Sequence, residues 1–151
     1  MYTTLESVNQ FIDWTQWKMA LNQSPVASFP RKKEIWWASL GHNIGVEVNG
    51  KNHRFERPIL VLKVFNTEAM FTVALTSQVK ESKYSYSFID SNGIKSSVNM
   101  SQLRTISTKR VLRKLGEISD SDFEKVVGLI WELVLKAETP ALGVSSELPN
   151  G

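Results

Sequence analysis

The stretch PILVLKVFNTEAMFTVALTS, from Pro58 to Ser77, contains two runs of apolar, β-branched and aromatic residues separated by turn residues. This composition is typical of β-strands, and we predict strands at Pro58–Asn66 and Ala69–Ser77. Runs of the same kind predict further strands at Glu34–Leu40, Tyr84–Asp90, Ile94–Val98 and Gln102–Ile106. The Asn92-Gly93 pair is typical of a tight hairpin turn. Five or six short strands in succession favour a small antiparallel barrel or sandwich over a parallel sheet.

Helices are predicted at the two ends of this β-rich region. Apolar residues at helical spacing indicate an amphipathic helix within residues 1–23, where Thr3 and Glu6 form a capping-box pattern. Residues 24–32, with Pro25 and Pro30, are predicted to be a linker. Ser119 begins a second helical pattern that runs to Glu138. The predicted class is therefore mainly β with α, with a main domain at 33–138 and a flexible tail at 139–151.

The composition limits the kinds of catalytic and metal sites that the chain can form. The 151 residues suit one domain with a core, and the absence of cysteine excludes disulfides and thiolate catalysis. Two histidines without cysteine argue against a structural zinc site, so no metal is predicted. The longest apolar run is shorter than a membrane span and the N-terminus lacks a secretory pattern, which predicts a soluble cytoplasmic protein with no membrane contact.

Charge is unevenly distributed along the chain. From Ser101 to Gly116 there are five basic residues and no acid, whereas Ser119–Glu138 holds five acids against two lysines. A basic cluster of this kind is either a solvated face or a footprint for nucleic acid, and both interpretations stay open here.

Candidate functional side chains gather in the loop GHNIGVEVNGKNHRFERP, from Gly41 to Pro58, and at the end of the predicted strand Ala69–Ser77. They are His42, Glu47, His53, Glu56, Arg57, Thr76 and Ser77. An arginine before a buried strand can hold a phosphate through two parallel hydrogen bonds, or can form a salt bridge with Glu56 or Glu47. Thr76 can donate to a phosphate oxygen, or can be an ordinary β-branched strand residue.

These motifs, in this order, resemble one known family. EIWW-x-x-LG, N-x-G-x-E, NG, RPILVL, a strand ending in LTS, and QLRTIS-x-K-R followed by KLG are similar to the MazF/PemK toxin endoribonucleases over roughly residues 33 to 135. The resemblance implies a small SH3-like antiparallel β-barrel, a homodimer and an antitoxin partner. It also implies cleavage of single-stranded RNA without metal or cofactor, leaving a 2′,3′-cyclic phosphate and a 5′-hydroxyl.

Site residues follow from the matching motifs. The Arg-Pro arginine corresponds to Arg57 and the LT-strand hydroxyl to Thr76, while Glu47 is the leading candidate for the base, with His42 and His53 as rivals. The residues expected to contact RNA are Lys51, His53, Arg54, Phe55, Ser77, Gln102 and Arg104. The loop is longer than is usual in the family, and its added cations and rings suit RNA binding. The alternative is a noncatalytic SH3-like module that binds nucleic acid or a peptide.

Overall fold

The computed structural model describes residues 4–79 and 81–136, arranged as an antiparallel sheet with a helix at each end of the chain. The elements are α1 (Leu5–Gln23), β1 (Glu34–Ser39), β2 (Glu56–Val64), β3 (Ala69–Thr76), β4 (Ser85–Ile89), β5 (Lys95–Ser107), a 3-10 turn (Thr108–Arg110), β6 (Val111–Glu117) and α2 (Asp120–Leu135). The mainly β class with terminal helices is confirmed. The predicted tail at 139–151 and the helix end at Glu138 lie outside the described residues.

Six strands form the sheet in the order β4-β5-β3-β2-β1-β6. Every pairing is antiparallel. The two strands predicted at Ile94–Val98 and Gln102–Ile106 are one continuous strand, β5, and β6 was not predicted. The edges β4 and β6 approach each other where Ser91 N donates to Glu117 O at 2.9 Å and Asn92 Nδ2 donates to Leu115 O. The sheet thus curls toward a barrel, but no β4–β6 ladder closes it within the described residues.

The central strand β2 is buried on both faces. Ile59, Leu60 and Val61 are fully buried. Leu60 belongs to the core cluster that Phe123 and Val126 of α2 cover, whereas Ile59 and Val61 belong to a second cluster on the other face. Burying each such side chain contributes about 1.5–3 kcal/mol, so the run ILVL fixes β2 at the centre of the fold.

Both helices begin with a capping hydroxyl. Ser119 Oγ accepts from Asp122 N at 3.1 Å, as the sequence predicts. In α1 the cap is Thr4 rather than Thr3: Thr4 Oγ1 accepts from Ser7 N at 3.3 Å. Neither helix has the length and apolar character that a membrane crossing needs, within the part of the chain that the structure describes.

Candidate functional site

Arg57 and Thr76 lie side by side at one end of the sheet. Ile59 of β2 pairs with Ala74 of β3, so two residues further along Arg57 comes level with Thr76. Thr76 in turn pairs with Ser97 of β5. Arg57, Thr76 and Ser97 therefore lie in a row across three adjacent strands, with Ser97 buried and its Oγ donating to Tyr86 O at 3.4 Å. Neighbouring antiparallel strands are close enough for such side chains to act on one bound group.

Two clefts meet at this row, and Arg57 with Thr76 lines both. The apolar cleft is also lined by Trp37, Pro58, Leu75, Leu115 and other residues. The polar cleft is lined by side chains that include Gln78, Ser82, Tyr84, Ser85, Ser97 and Asn99. A ligand with a charged centre and two different flanks would fit this arrangement.

The Arg57 guanidinium is held by backbone carbonyls. Its Nε donates to Asn49 O at 2.8 Å, and Nη1 lies 3.5 Å from Leu75 O. Within the described residues no carboxylate pairs with the guanidinium. The alternative interpretation, a salt bridge between Arg57 and Glu56 or Glu47, is therefore wrong. Burial lowers the pKa of Arg57, because desolvation disfavours its charge. Its remaining N–H groups are free of protein partners in the described structure and available to an anion.

Glu56, next to Arg57 in sequence, is bound elsewhere. Its two carboxylate oxygens accept from Arg113 Nη1 and Nη2, both at 2.9 Å, and Asn52 Nδ2 donates to Oε1 at 3.1 Å. The Arg113 hydrogen bonds lower the pKa of Glu56. Glu56 and Arg57 are successive residues of β2, so their side chains point to opposite faces of the sheet, and Glu56 pairs with Arg113 rather than with Arg57.

The basic segment at 101–116 is not an open patch of free charge. Lys114 bonds Glu34 at 2.8 Å and Glu117 at 2.7 Å, in addition to the Arg113 pair. Arg110 Nη1 donates to Ser39 O at 3.0 Å, and burial lowers the pKa of Arg110. Lys109 Nζ donates to Asn22 O at 2.7 Å. Most of these cations stabilise the fold, so neither a simple solvated face nor a uniform nucleic-acid footprint describes the segment.

The expected site residues fall into different places. Lys51 and Ser77 line the apolar cleft beside Arg57. His53 and Arg54 are exposed on the tip of the loop. Glu47 is exposed on a turn, where Oε2 accepts from Ile44 N at 3.4 Å, and it lines neither cleft. The structure therefore brings Arg57 and Thr76 together and leaves Glu47 apart.

Three other residues that were expected to contact RNA have structural roles instead. The Phe55 ring was expected to stack on an RNA base, but it is 8% exposed and packs against Trp14 with ring centroids 5.5 Å apart. Gln102 clamps the loop: its Oε1 accepts from Val48 N at 2.8 Å and its Nε2 donates to Val46 O at 3.2 Å. Arg104 Nη1 lies 3.4 Å from Leu40 O. These side chains shape the loop from within, because the loop folds back on the sheet.

Sequence reasoning missed several residues that line the clefts. Tyr84, Ser97 and Asn99 belong to the polar cleft, and Lys95 and Asp90 to the apolar one. They come from the β4–β5 hairpin, which the Asn-Gly turn indicated. The missing step was the pairing of β5 with β3, because that pairing, and not the hairpin alone, places these residues beside Thr76.

Comparisons with known proteins point in one direction. A family model for the PemK-like, MazF-like toxin of type II toxin-antitoxin systems matches residues 31–133. MazF from Deinococcus radiodurans superposes with a TM-score of 0.61 at 22% identity, over 71% of this chain and 97% of that one. A MazE–MazF complex from the same organism gives 0.56 at 19% identity, over 73% and 99%. An endoribonuclease from a mycobacterial species, solved with its cognate antitoxin, gives 0.56 at 17% identity, over 72% and 99%.

No curated protein sequence matches the chain. The structural likenesses show a shared fold, and the matched segment spans all six strands and most of α2. Helix α1 lies outside it.

Proposed function

Because the chain belongs to the PemK-like, MazF-like toxin family of type II toxin-antitoxin systems, we propose that it is an endoribonuclease that cuts single-stranded RNA. The observation that carries the proposal is the Arg57 guanidinium, which has no carboxylate partner in the described structure and lies between two clefts beside Thr76. A fixed cation with free N–H groups is suited to a phosphodiester. The structures named endoribonucleases share this fold.

In the proposed reaction a phosphate of the RNA binds beside Arg57 and Thr76. The adjacent 2′-hydroxyl attacks phosphorus, so a P–O2′ bond forms while the P–O5′ bond breaks. The 2′-hydroxyl gives up its proton and the leaving 5′-oxygen gains one, which produces a 2′,3′-cyclic phosphate and a 5′-hydroxyl. Arg57 and Thr76 stabilise the negative charge that grows on the nonbridging oxygens. Arg57 stays protonated, since its pKa begins far above neutrality.

The two clefts suit the groups on either side of that phosphate. The apolar cleft, with Trp37 and Pro58, takes a base, and Lys51 and Lys95 at its wall hold neighbouring phosphates. The polar cleft offers the Tyr84 ring and side-chain amides that read base edges. His53 and Arg54 on the exposed loop tip add contacts further along the strand. The site requires no cofactor in this scheme.

The partners are proposed to be a second copy of the chain and an antitoxin. Trp14 and Trp17 need no second copy to cover them, because Trp14 is buried and Trp17 Nε1 donates to Ser39 Oγ at 2.9 Å within the chain. Exposed apolar residues instead lie along α2: Val127, Trp131, Val134 and Leu135. An acidic antitoxin segment would complement Arg57, Lys51 and Lys95 at the clefts. A toxin that cuts messenger RNA would act in the cytoplasm.

The test uses the purified full-length chain and a long unstructured RNA in EDTA. We expect cleavage at short preferred sequences, with cyclic phosphate at the new 3′ ends. Arg57→Ala is expected to slow cleavage by about 10²–10³-fold, as for loss of one oxyanion donor. Arg54→Ala, an exposed arginine of the same loop, is the matched control and should slow cleavage only mildly. A gel shift without cleavage would establish the noncatalytic module, and neither binding nor cleavage would overturn the RNA assignment.

A further inference from the structure

Helix α1 has one buried residue, Trp14, whose side chain is 6% exposed. Other apolar residues of α1 face solvent, among them Leu5, Ile12 and Met19. Burial of an aromatic ring is the largest single hydrophobic contribution that this helix makes. Trp14 is therefore the main apolar contact that holds α1 on the rest of the molecule, alongside the hydrogen bonds of Trp17 to Ser39 and of Lys109 to Asn22.

Trp14 contacts both ends of the 41–55 loop. A Cβ built on Gly41 would lie 2.5 Å from Cε2 and Cζ2 of Trp14, so the ring edge is packed directly against the Gly41 backbone. Gly41 has φ +101°, a conformation that also favours glycine. At the other end of the loop the Phe55 ring centroid lies 5.5 Å from that of Trp14. The Arg110 guanidinium lies 5.4 Å from the ring centroid and completes the burial.

A series of hydrogen bonds connects the two ends of the loop to Arg57. The Phe55 carbonyl accepts from Leu40 N at 2.8 Å and from Gly41 N at 3.3 Å, which joins the two ends. The Gly41 carbonyl accepts from Gly50 N at 2.8 Å. The carbonyl of the preceding residue, Asn49, accepts from Arg57 Nε at 2.8 Å. The bonds among Phe55, Leu40, Gly41 and Gly50 connect backbone groups, and the last bond joins the Asn49 carbonyl to the Arg57 side chain. A displaced Gly41 therefore displaces the acceptor that orients the guanidinium.

We propose that Trp14 is a positioning residue for RNA cleavage, holding the 41–55 loop in the conformation in which the Asn49 carbonyl orients Arg57. The inference rests on the proposed function. A long loop has many accessible conformations. The Trp14 ring, buried at the base of the 41–55 loop, restricts the loop to few of them before the substrate binds. The helix that supplies this ring is outside the segment that the family model matches.

The experiment compares Trp14→Ala and Trp14→Phe in the full chain, with Met19→Ala, an exposed residue of the same helix, as control. Steady-state cleavage of one RNA is measured over a range of RNA concentrations, well below the unfolding temperature. We expect Trp14→Ala to lower kcat by about tenfold to a hundredfold with KM changed by less than about twofold, because a misplaced charge weakens the transition state more than RNA binding. Trp14→Phe should recover most of the rate, and Met19→Ala should match the wild type.

A double-mutant cycle separates positioning from general destabilisation. If Trp14 acts through Arg57, Trp14→Ala should cost less than about twofold in the Arg57→Ala background. A full additive cost there, or a wild-type rate for Trp14→Ala, overturns the proposal. If Trp14→Ala does not fold, Trp14→Leu is judged by the same two criteria.

Hydrogen exchange distinguishes this proposal from the proposed function. The Gly41 and Gly50 amides should exchange faster in Trp14→Ala than in Met19→Ala, because the hydrogen bonds that protect them depend on the loop base. Unchanged protection refutes the positioning role whether or not RNA is cut. Faster exchange together with a wild-type protein that does not cleave RNA leaves the loop-ordering role intact and refutes the proposed function.

Discussion

Removing the cation that pairs with Glu56 should destabilise the protein in a pH-dependent way. The change is Arg113→Met, which keeps an unbranched apolar stem over Trp37, where the guanidinium now lies 4.8 Å from the ring centroid. It leaves Glu56 with Asn52 as its remaining side-chain hydrogen-bond donor among the described residues. Glu56 is the buried partner of the pair, 8% exposed, whereas Arg113 is 51% exposed.

The expected loss is about 2 kcal/mol in the free energy of unfolding at pH 7. Breaking a fully buried ion pair costs about 3–5 kcal/mol, because one charge is left without compensation. Here half of Arg113 is in solvent and Asn52 still donates to the carboxylate, so about half of that cost applies. The pKa of Glu56 is lowered from 4.5, chiefly by the Arg113 hydrogen bonds. Its stabilisation is therefore complete above pH 4.5 and is lost as pH falls through the lower pKa of the folded state.

Urea unfolding of wild type and Arg113→Met at pH 7 and at stepwise lower pH measures this difference. The matched control is Lys136→Met, which removes an ion pair with Glu132 whose partners are 74% and 61% exposed. It should cost less than about 0.5 kcal/mol at any pH. The reasoning would be refuted if Arg113→Met lowered the free energy of unfolding at pH 7 by no more than Lys136→Met does. It would also be refuted if the loss did not shrink below pH 4.5.

Three further changes test the site and the fold. Thr76→Val keeps the β-branch but removes the hydroxyl beside Arg57, and should slow RNA cleavage by about tenfold with the melting temperature nearly unchanged. Glu47→Gln should leave the cleavage rate within about threefold of wild type, because Glu47 lines neither cleft; a loss as large as that of Arg57→Ala would restore it as the base. Tyr86→Phe removes a 2.6 Å hydrogen bond to Asp122 that raises the pKa of Tyr86 to about 12. It should cost about 1 kcal/mol below pH 10, and in urea titrations the difference should disappear as pH rises through about 12.

The fold was predictable where burial dominates the sequence pattern. The apolar runs at β2 and β3 and the helical stripe of α2 each bury a face large enough to override local detail. Strand β6 was missed because Arg113 and Lys114 at its centre are both exposed, so its composition suggested a charged surface segment. Strand β5 was divided in two because Asn99 and Ser101 interrupt its apolar pattern, although its pairing with β3 resumes at Leu103 after a register shift.

The site was only partly predictable, because its residues come together through strand register. Arg57 and Thr76 were identified by motif resemblance, and the structure brings them together. Phe55 was misplaced because sequence composition cannot show that α1 folds back to cover it. In an exposed loop, an aromatic ring next to cations is suited to RNA binding. Phe55 is instead buried, because Trp14, 41 positions earlier in the sequence, packs against it.

The charge pattern of the sequence is also a poor guide to the site, because it does not show which cations pair with acids that are distant in sequence. Glu56, which pairs with Arg113, and Glu34, which pairs with Lys114, lie 57 and 80 residues away in sequence, and Glu117, which also pairs with Lys114, lies just beyond the segment. Counting charges within a window of 16 residues therefore overstates the field of that segment. Arg57 lies near Lys51 and Arg54 in sequence, and what distinguishes it is that no carboxylate of the described structure pairs with its guanidinium, which backbone carbonyls hold instead. The partners that the fold gives a cation, and not the local density of charge, therefore identify the candidate site.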